Sequence, residues 1–320
     1  MAPSCGGSSP LPRRARRAAA RRYQGRAAAR RRQGGAALIL ALMVMALATL
    51  LATQLMAAQD DFLSQVHTER DLRQARLLAQ AGVDWGRAVL QEDLANSSVD
   101  HLGEAWARQV PAIDAEGGQI GGYLRDALAC FNINNLVDDV NVIDREMLAV
   151  YVRLLDRLGL DDALGPRLAD WMARAGTQAG RGQSGAKAYF ALADLAQVPG
   201  YTPEVLQRLR PYLVALPQRT AINVNTADAV VLGAAADLSP AAAAEAVAQR
   251  QTSWFRDTAE FASRNNCRLA ATRLWTVQSN FFLARVTAVV GDARVITTAL
   301  LRRQPGLDRV EVAAVHYGNE

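Results

Sequence analysis

Three histidines, His67, His101 and His316, and three cysteines, Cys5, Cys130 and Cys267, are the side chains best suited to acid–base, metal or nucleophilic chemistry. The histidines are isolated, none at metal-ligand spacing, and the cysteines are not clustered, so no metal centre is encoded. No Gly-x-Ser-x-Gly elbow and no phosphate-cradling glycine loop occurs. No catalytic residue is expected, and the chain reads as a non-enzyme. The two polar motifs with regular spacing, Phe131-Asn132-Ile133-Asn134-Asn135-Leu136 and Ile222-Asn223-Val224-Asn225-Thr226-Ala227, alternate asparagine with apolar residues. Asparagine side chains bond nearby backbone, so these segments suit strand ends and caps.

The charge is unevenly placed. The 320 residues carry 36 Lys+Arg against 31 Asp+Glu, but residues 1–35 hold ten Arg and no acid. The remainder has 26 bases against 31 acids, a net charge near −5. Basicity therefore belongs to a leader, and the main argument for a nucleic-acid partner disappears.

From Ala36 to Ala58 the chain is apolar, with no charge between Arg32 and Asp60. A helix of that length crosses a hydrocarbon core of about 30 Å. The positive-inside rule puts the Arg-rich end in the cytoplasm and everything beyond Asp60 on the far side. A cleaved secretory signal and an organellar transit peptide are the alternatives, although the apolar run exceeds the usual ~7–15 residues of a signal core. Cys130 and Cys267 both follow the span and are candidates for one disulfide in an oxidising compartment.

The segments after the span give an α+β pattern. Leu72, Ala75, Leu78, Gly82, Trp85 and Val89 recur every three or four residues and predict that the helix continues to about Leu94 with this stripe in the core. Gly117-Gly118 and Gly121-Gly122 bracket the start of a hairpin with strands near Gln119–Leu124 and Ala129–Ile133. Helices follow from Asp144 to about Leu213, with a loop at residues 174–188 and a start at Thr202-Pro203. A helix capped at Asn225 or Thr226 comes next, then one from Pro240 to Arg250 behind Ser239. Strands at Phe282–Val290 and Arg294–Leu301, joined at Gly291-Asp292, form a hairpin, and Val310–Tyr317 adds a last strand.

The junction Arg32-Gln33-Gly34-Gly35-Ala36-Ala37-Leu38-Ile39 resembles type IV prepilin signals. That resemblance implies cleavage between Gly35 and Ala36 by a prepilin peptidase, methylation of the new amine, and retention of the apolar helix. Pilins and most pseudopilins carry Glu at the fifth mature position to neutralise a neighbour's ammonium, whereas this chain has Leu40. An unpaired charge at membrane depth is costly, so Leu40 suits a subunit with none docked beyond it.

Together with the two asparagine motifs, Val198-Pro199-Gly200, Leu209-Arg210-Pro211-Tyr212-Leu213 and the Gly291-Asp292-Ala293 hairpin, this junction resembles the K-type minor pseudopilin family of the type II secretion system over nearly all of residues 32–317. The resemblance implies a long transmembrane helix, a pilin-like antiparallel sheet and a large helical insertion. It divides the chain into a leader (1–35), span (36–58), helix extension (59–95), hairpin region (96–140), helical insertion (141–220), a strand with two hairpin-like helices (221–275) and C-terminal strands (276–320).

The family role implied is a cap on a short pseudopilus in the inner membrane, with the domain in the periplasm. The implied partners are the I- and J-type minor pseudopilins, the major pseudopilin, the peptidase and the inner-membrane assembly platform, with Leu38, Leu40 and Leu42 in the filament interface. The family commonly binds calcium on an acidic loop after an Asp-Trp pair. Here Asp170-Trp171 is followed by no carboxylate until Asp194, so neither calcium nor another cofactor is expected. The Ile222–Ala227 strand and its two helices also resemble helix-hairpin-helix DNA modules, which gives a pilus-associated or DNA-uptake protein as the alternative. Asp237 in the connection and the negative exported part argue against nucleic acid.

Overall fold

The computed structural model describes residues 13–115, 117–179, 190–267, 273–307 and 309–318. The chain divides into two compact units, residues 1–69 and 70–320. Helix α1 (Arg13–Asn96) supplies the first unit and opens the second. From Ala36 to Ala58 it contains no Gly or Pro and is dominated by Ala, Leu and Met, all strong helix formers. The hydroxyls of Thr49 and Thr53 donate to the Met45 and Leu50 carbonyls at 3.0 and 2.9 Å, so neither needs water.

In the second unit α1 lies on a five-stranded antiparallel sheet of order β1 (Val110–Ala115), β2 (Gly118–Asp126), β7 (Phe281–Val290), β8 (Ala293–Gln304) and β9 (Arg309–Gly318). Burial alternates along β7, as one face packs against the helix. The helix face against it is Ala75, Ala79, Val83 and Leu90, all fully buried. Trp85, expected in that stripe, is instead 57% exposed. At Gly82 an added Cβ would stand 2.6 Å from Val286 Cγ1 and 2.8 Å from Ile120 Cδ1, so a larger residue would have to displace those side chains for the helix to lie this close.

The hairpin expected between 119–124 and 129–133 is closed the other way. β2 pairs with β1 upstream, and Gly117 takes a left-handed φ of 79° in the connection. Gly121 and Gly122 lie inside β2, where added Cβ atoms would meet Ala112 and Arg285 backbone at 2.9 and 2.4 Å. Residues 127–129 form a short 3-10 turn, started by the Asp126 carboxylate accepting the Leu128 N–H. The C-terminal hairpin forms as read, with Gly291 at φ 54° in its turn.

β2 and β7 are neighbours, so residues 127–280 make one excursion from the sheet. Its first half runs β3 (Phe131–Asn132), α2 (Arg145–Arg157), α3 (Leu164–Ala179), α4 (Pro203–Leu209) and β4 (Leu213–Val214), with β4 parallel to β3. The second runs β5 (Ile222–Asn223), α5 (Ala229–Ala236), α6 (Pro240–Thr252), α7 (Thr258–Arg264) and β6 (Trp275–Thr276), with β6 parallel to β5. One plan is used twice.

Side-chain caps start these helices at Asp144, Thr202, Asp228, Ser239 and Asp257. α5 is thus capped by Asp228, neither Asn225 nor Thr226, because those two are buried and bonded elsewhere. α3 continues to Ala179 through part of the segment expected as loop, and the rest of that segment, residues 180–188, lies outside the described residues. Both halves share a core that includes Phe131, Tyr151, Leu154, Leu232, Phe255 and Phe261.

Candidate assembly surfaces

Leu38, Leu40 and Leu42 lie on the apolar stretch of α1, 63, 67 and 57% exposed. Gly35 and Ala36 fall inside the same helix. An apolar run from Ala36 to Ala58 with every residue exposed cannot be stable in water and must be covered by lipid or by other helices. In the second unit an apolar groove of about 280 Å³ runs between α1 and the β1–β2 hairpin, lined by Leu78, Trp85, Val89, Ile113, Ile120 and Leu124 among others.

The asparagine motifs build the excursion. Asn134 donates to the Phe190 carbonyl at 3.1 Å and accepts its N–H at 3.0 Å, gripping one backbone unit with both ends of its amide. Asn225 does the same to Phe255, at 2.9 Å in each direction. Asn132 accepts from the Leu216 N–H at 3.1 Å, and Asn135 accepts from Thr220 N–H at 3.0 Å and donates to its carbonyl at 2.7 Å. These contacts stand in for a sheet that is only two residues long on each side. The local bonds expected from the sequence are present, Asn132 accepting the Asn134 N–H at 3.2 Å and Asn223 the Asn225 N–H at 2.9 Å; the bonds to Phe190, Leu216, Thr220 and Phe255, 30 to 85 positions away, had no local signal.

A buried polar joint ties the excursion to the sheet. Asp126, at the end of β2, is fully buried, and its Oδ2 accepts from Asn223 (3.0 Å), Thr226 (2.5 Å) and Ser279 (2.7 Å). Burial pushes its carboxyl above the usual carboxylate range, against the pull of those donors. Asp100 accepts the Ser279 N–H at 2.6 Å and the Arg303 guanidinium at 2.5 Å. Arg303, from β8, also bonds Asp93 at the end of α1 and lies 4.4 Å over the Phe282 ring. Asp93, Asp100 and Glu104 bring one oxygen each within 4.8 Å of one another, with Arg303 supplying their countercharge. None of these acids carried a recognisable motif, since the chain brings them together from residues 93 to 303.

Cys130 and Cys267, candidates from the sequence for one disulfide, are both free thiols. Cys130 is buried beside Phe281 and Leu216, whereas Cys267 packs on the helical core. His101 stacks on Trp254 with ring centroids 5.1 Å apart, and its Nδ1 accepts the Gly103 N–H. Asp170-Trp171 lies within α3, with Trp171 against Phe190. α5 and α6 meet at 115° through Asp237, which takes the left-handed conformation usual for glycine at φ 53°. Its side chain is 78% exposed, presenting a carboxylate where a helix-hairpin-helix module would meet phosphate.

An apolar N-terminal helix leading into an antiparallel sheet, with a helical excursion between two of its strands, defines a membrane-anchored α+β protein of the pilin type. Models of the family described as type II secretion system, protein K, match residues 129–218 and 222–273, which correspond to the two halves of the excursion. Type II secretion system protein K of Pseudomonas aeruginosa is 30% identical over 295 residues, covering 83% of this chain and 87% of that protein. The Klebsiella pneumoniae protein of the same name is 30% identical over 298 residues, covering 83% and 91%. A crystal structure of the GspK–GspI–GspJ complex from enterotoxigenic Escherichia coli superposes with a TM-score of 0.67 at 22% identity, covering 80% of this chain and all of that one. The chain belongs to the type II secretion system protein K family, the K-type minor pseudopilins.

Proposed function

We propose that this chain is a non-enzymatic cap of the pseudopilus, anchored in the inner membrane by one span with its N-terminus cytoplasmic and its domain periplasmic. It assembles there with I- and J-type minor pseudopilins, starts the fibre and limits its length. The carrying observation is the exposed apolar helix with Leu40 in place of the acid that would receive a further subunit. The excursion of residues 127–280 supports a terminal position, because its bulk opposes close stacking between other subunits. The structure that resembles this chain is itself a complex with GspI and GspJ, which supports the choice of partners.

In this reading a prepilin peptidase cuts between Gly35 and Ala36, the span packs through Leu38, Leu40 and Leu42 against the major pseudopilin and the assembly platform, and no cofactor, metal or nucleic acid takes part. Intact mass and N-terminal sequencing, with and without a prepilin peptidase, test it. A peptidase-dependent product of 285 residues beginning with methylated Ala36 is expected. A product starting beyond Ala58, or an uncut chain under both conditions, would sink the reading.

A further inference from the structure

We propose that Asp93 and Asp100, both bonded to the guanidinium of Arg303 and with the Glu104 carboxylate beside them, form a proton-binding joint whose charge state sets how firmly α1 and the helical excursion are held to the sheet. Among the described residues, Arg303 is the one cation ion-paired with this trio, through Asp93 and Asp100, so full ionisation of the three carboxylates leaves two negative charges in excess in a site largely closed to water. Arg303 and Asp100 side chains are each only 2% exposed and Asp93 is 13% exposed, so screening by solvent is weak. Binding one proton between Asp93 and Asp100 removes half the excess while leaving an ion pair with Arg303.

The charges bearing most on Asp93 are Glu104 and Asp100, which oppose its ionisation, and Arg303, which favours it. Those on Asp100 are Arg303 and, from the end of β2, Asp126. The contacts from the excursion are neutral: Ser279, and Asn223, whose side chain donates to the Asp100 carbonyl at 3.2 Å. Glu104 is held by the Trp106 indole N–H at 2.7 Å and the His101 backbone N–H at 2.9 Å, and the His101 ring is stacked on Trp254. Four pieces of chain thus converge: α1, the 100–106 loop, β8 and the 277–280 segment that leads out of the excursion.

The direction follows from the proton. Burial, chiefly, pushes both Asp93 and Asp100 up to about 6 from an ordinary value of 3.8. The folded chain therefore binds the proton more tightly than the unfolded chain. The added stability is full below the ordinary carboxylate value and is lost as pH rises through about 6. The joint tightens as pH falls from about 6 toward 3.8, a dependence opposite in sign to that of an ordinary surface ion pair. It belongs to the chain itself and holds on whichever side of the membrane the domain stands.

Hydrogen exchange of the full chain in detergent, corrected for intrinsic exchange rates, reads the joint directly. Backbone amides at 100–107 and 277–281 should lose protection by about tenfold or more between pH 5 and pH 8, one pKa unit corresponding to a factor of ten. Asp93→Asn and Asp100→Asn, which mimic the protonated acid, should flatten that change, while Asp84→Asn on the exposed face of α1 should keep it. Glu104→Gln gives the same reading should either buried variant fail to fold. Protection that is unchanged from pH 5 to pH 8, or a pH response that survives in every foldable variant of the three acids, would overturn the proposal.

Discussion

Asn225 shows what one amide does in this molecule: it holds the backbone of Phe255 by both its donor and its acceptor, inside a core closed to water. Replacing it with alanine leaves a buried N–H and a buried carbonyl without partners. Asn225→Ala should destabilise the chain by roughly 2–4 kcal/mol, to be measured by denaturant unfolding, with Asn134→Ala behaving alike. The sequence showed that asparagines at these positions must bond backbone, but not which backbone. The choice of Phe190 and Phe255 depends on two helices folding back between motif and partner, and no local signal encodes that return. The acids around Arg303 were less legible still, because a burial that comes only from tertiary packing is what distinguishes them from solvated surface carboxylates.

Among the elements, those with internal punctuation were readable. Pro203 and Pro240 at helix starts, Gly291 in a hairpin turn and the period-two pattern of β7 each act within a few residues, so spacing alone located them. The β1–β2 hairpin was misplaced because four glycines in six positions look like turns at both ends. Two of them, Gly121 and Gly122, are in the strand for lack of room. Gly82 plays the same part on α1. Gly82→Val should lower stability by about 1–3 kcal/mol through forced separation of α1 from β7, since its branches must displace Val286 and Ile120. A thermal melt checks it, and a variant as stable as the parent would mean that the helix is not held against the sheet at this point.

For the whole molecule, the apolar helix and the domain of residues 70–320 were legible to different degrees. The apolar run declares itself by length and the absence of charge, whereas the size of the excursion does not, because no signal in residues 96–140 marks β2 as a neighbour of β7. Leu40 is the position where the molecule's place in an assembly should be most sensitive. Leu40→Glu should admit the subunit along the fibre or impair secretion, read by crosslinking of assembled fibres and by export of a secreted reporter; unchanged assembly and export would remove the force of the missing acid. Asp126 and Phe282 are register partners, so the chain leaves the sheet and comes back at opposed rungs of one ladder. To the sheet, everything between those rungs is a single loop of fixed end-to-end distance, and the entropy of closing such a loop grows only with the logarithm of its length. The sheet therefore works as a socket: a module of any size whose two ends lie side by side can be plugged in at this point, or exchanged, without redrawing the strands that carry it.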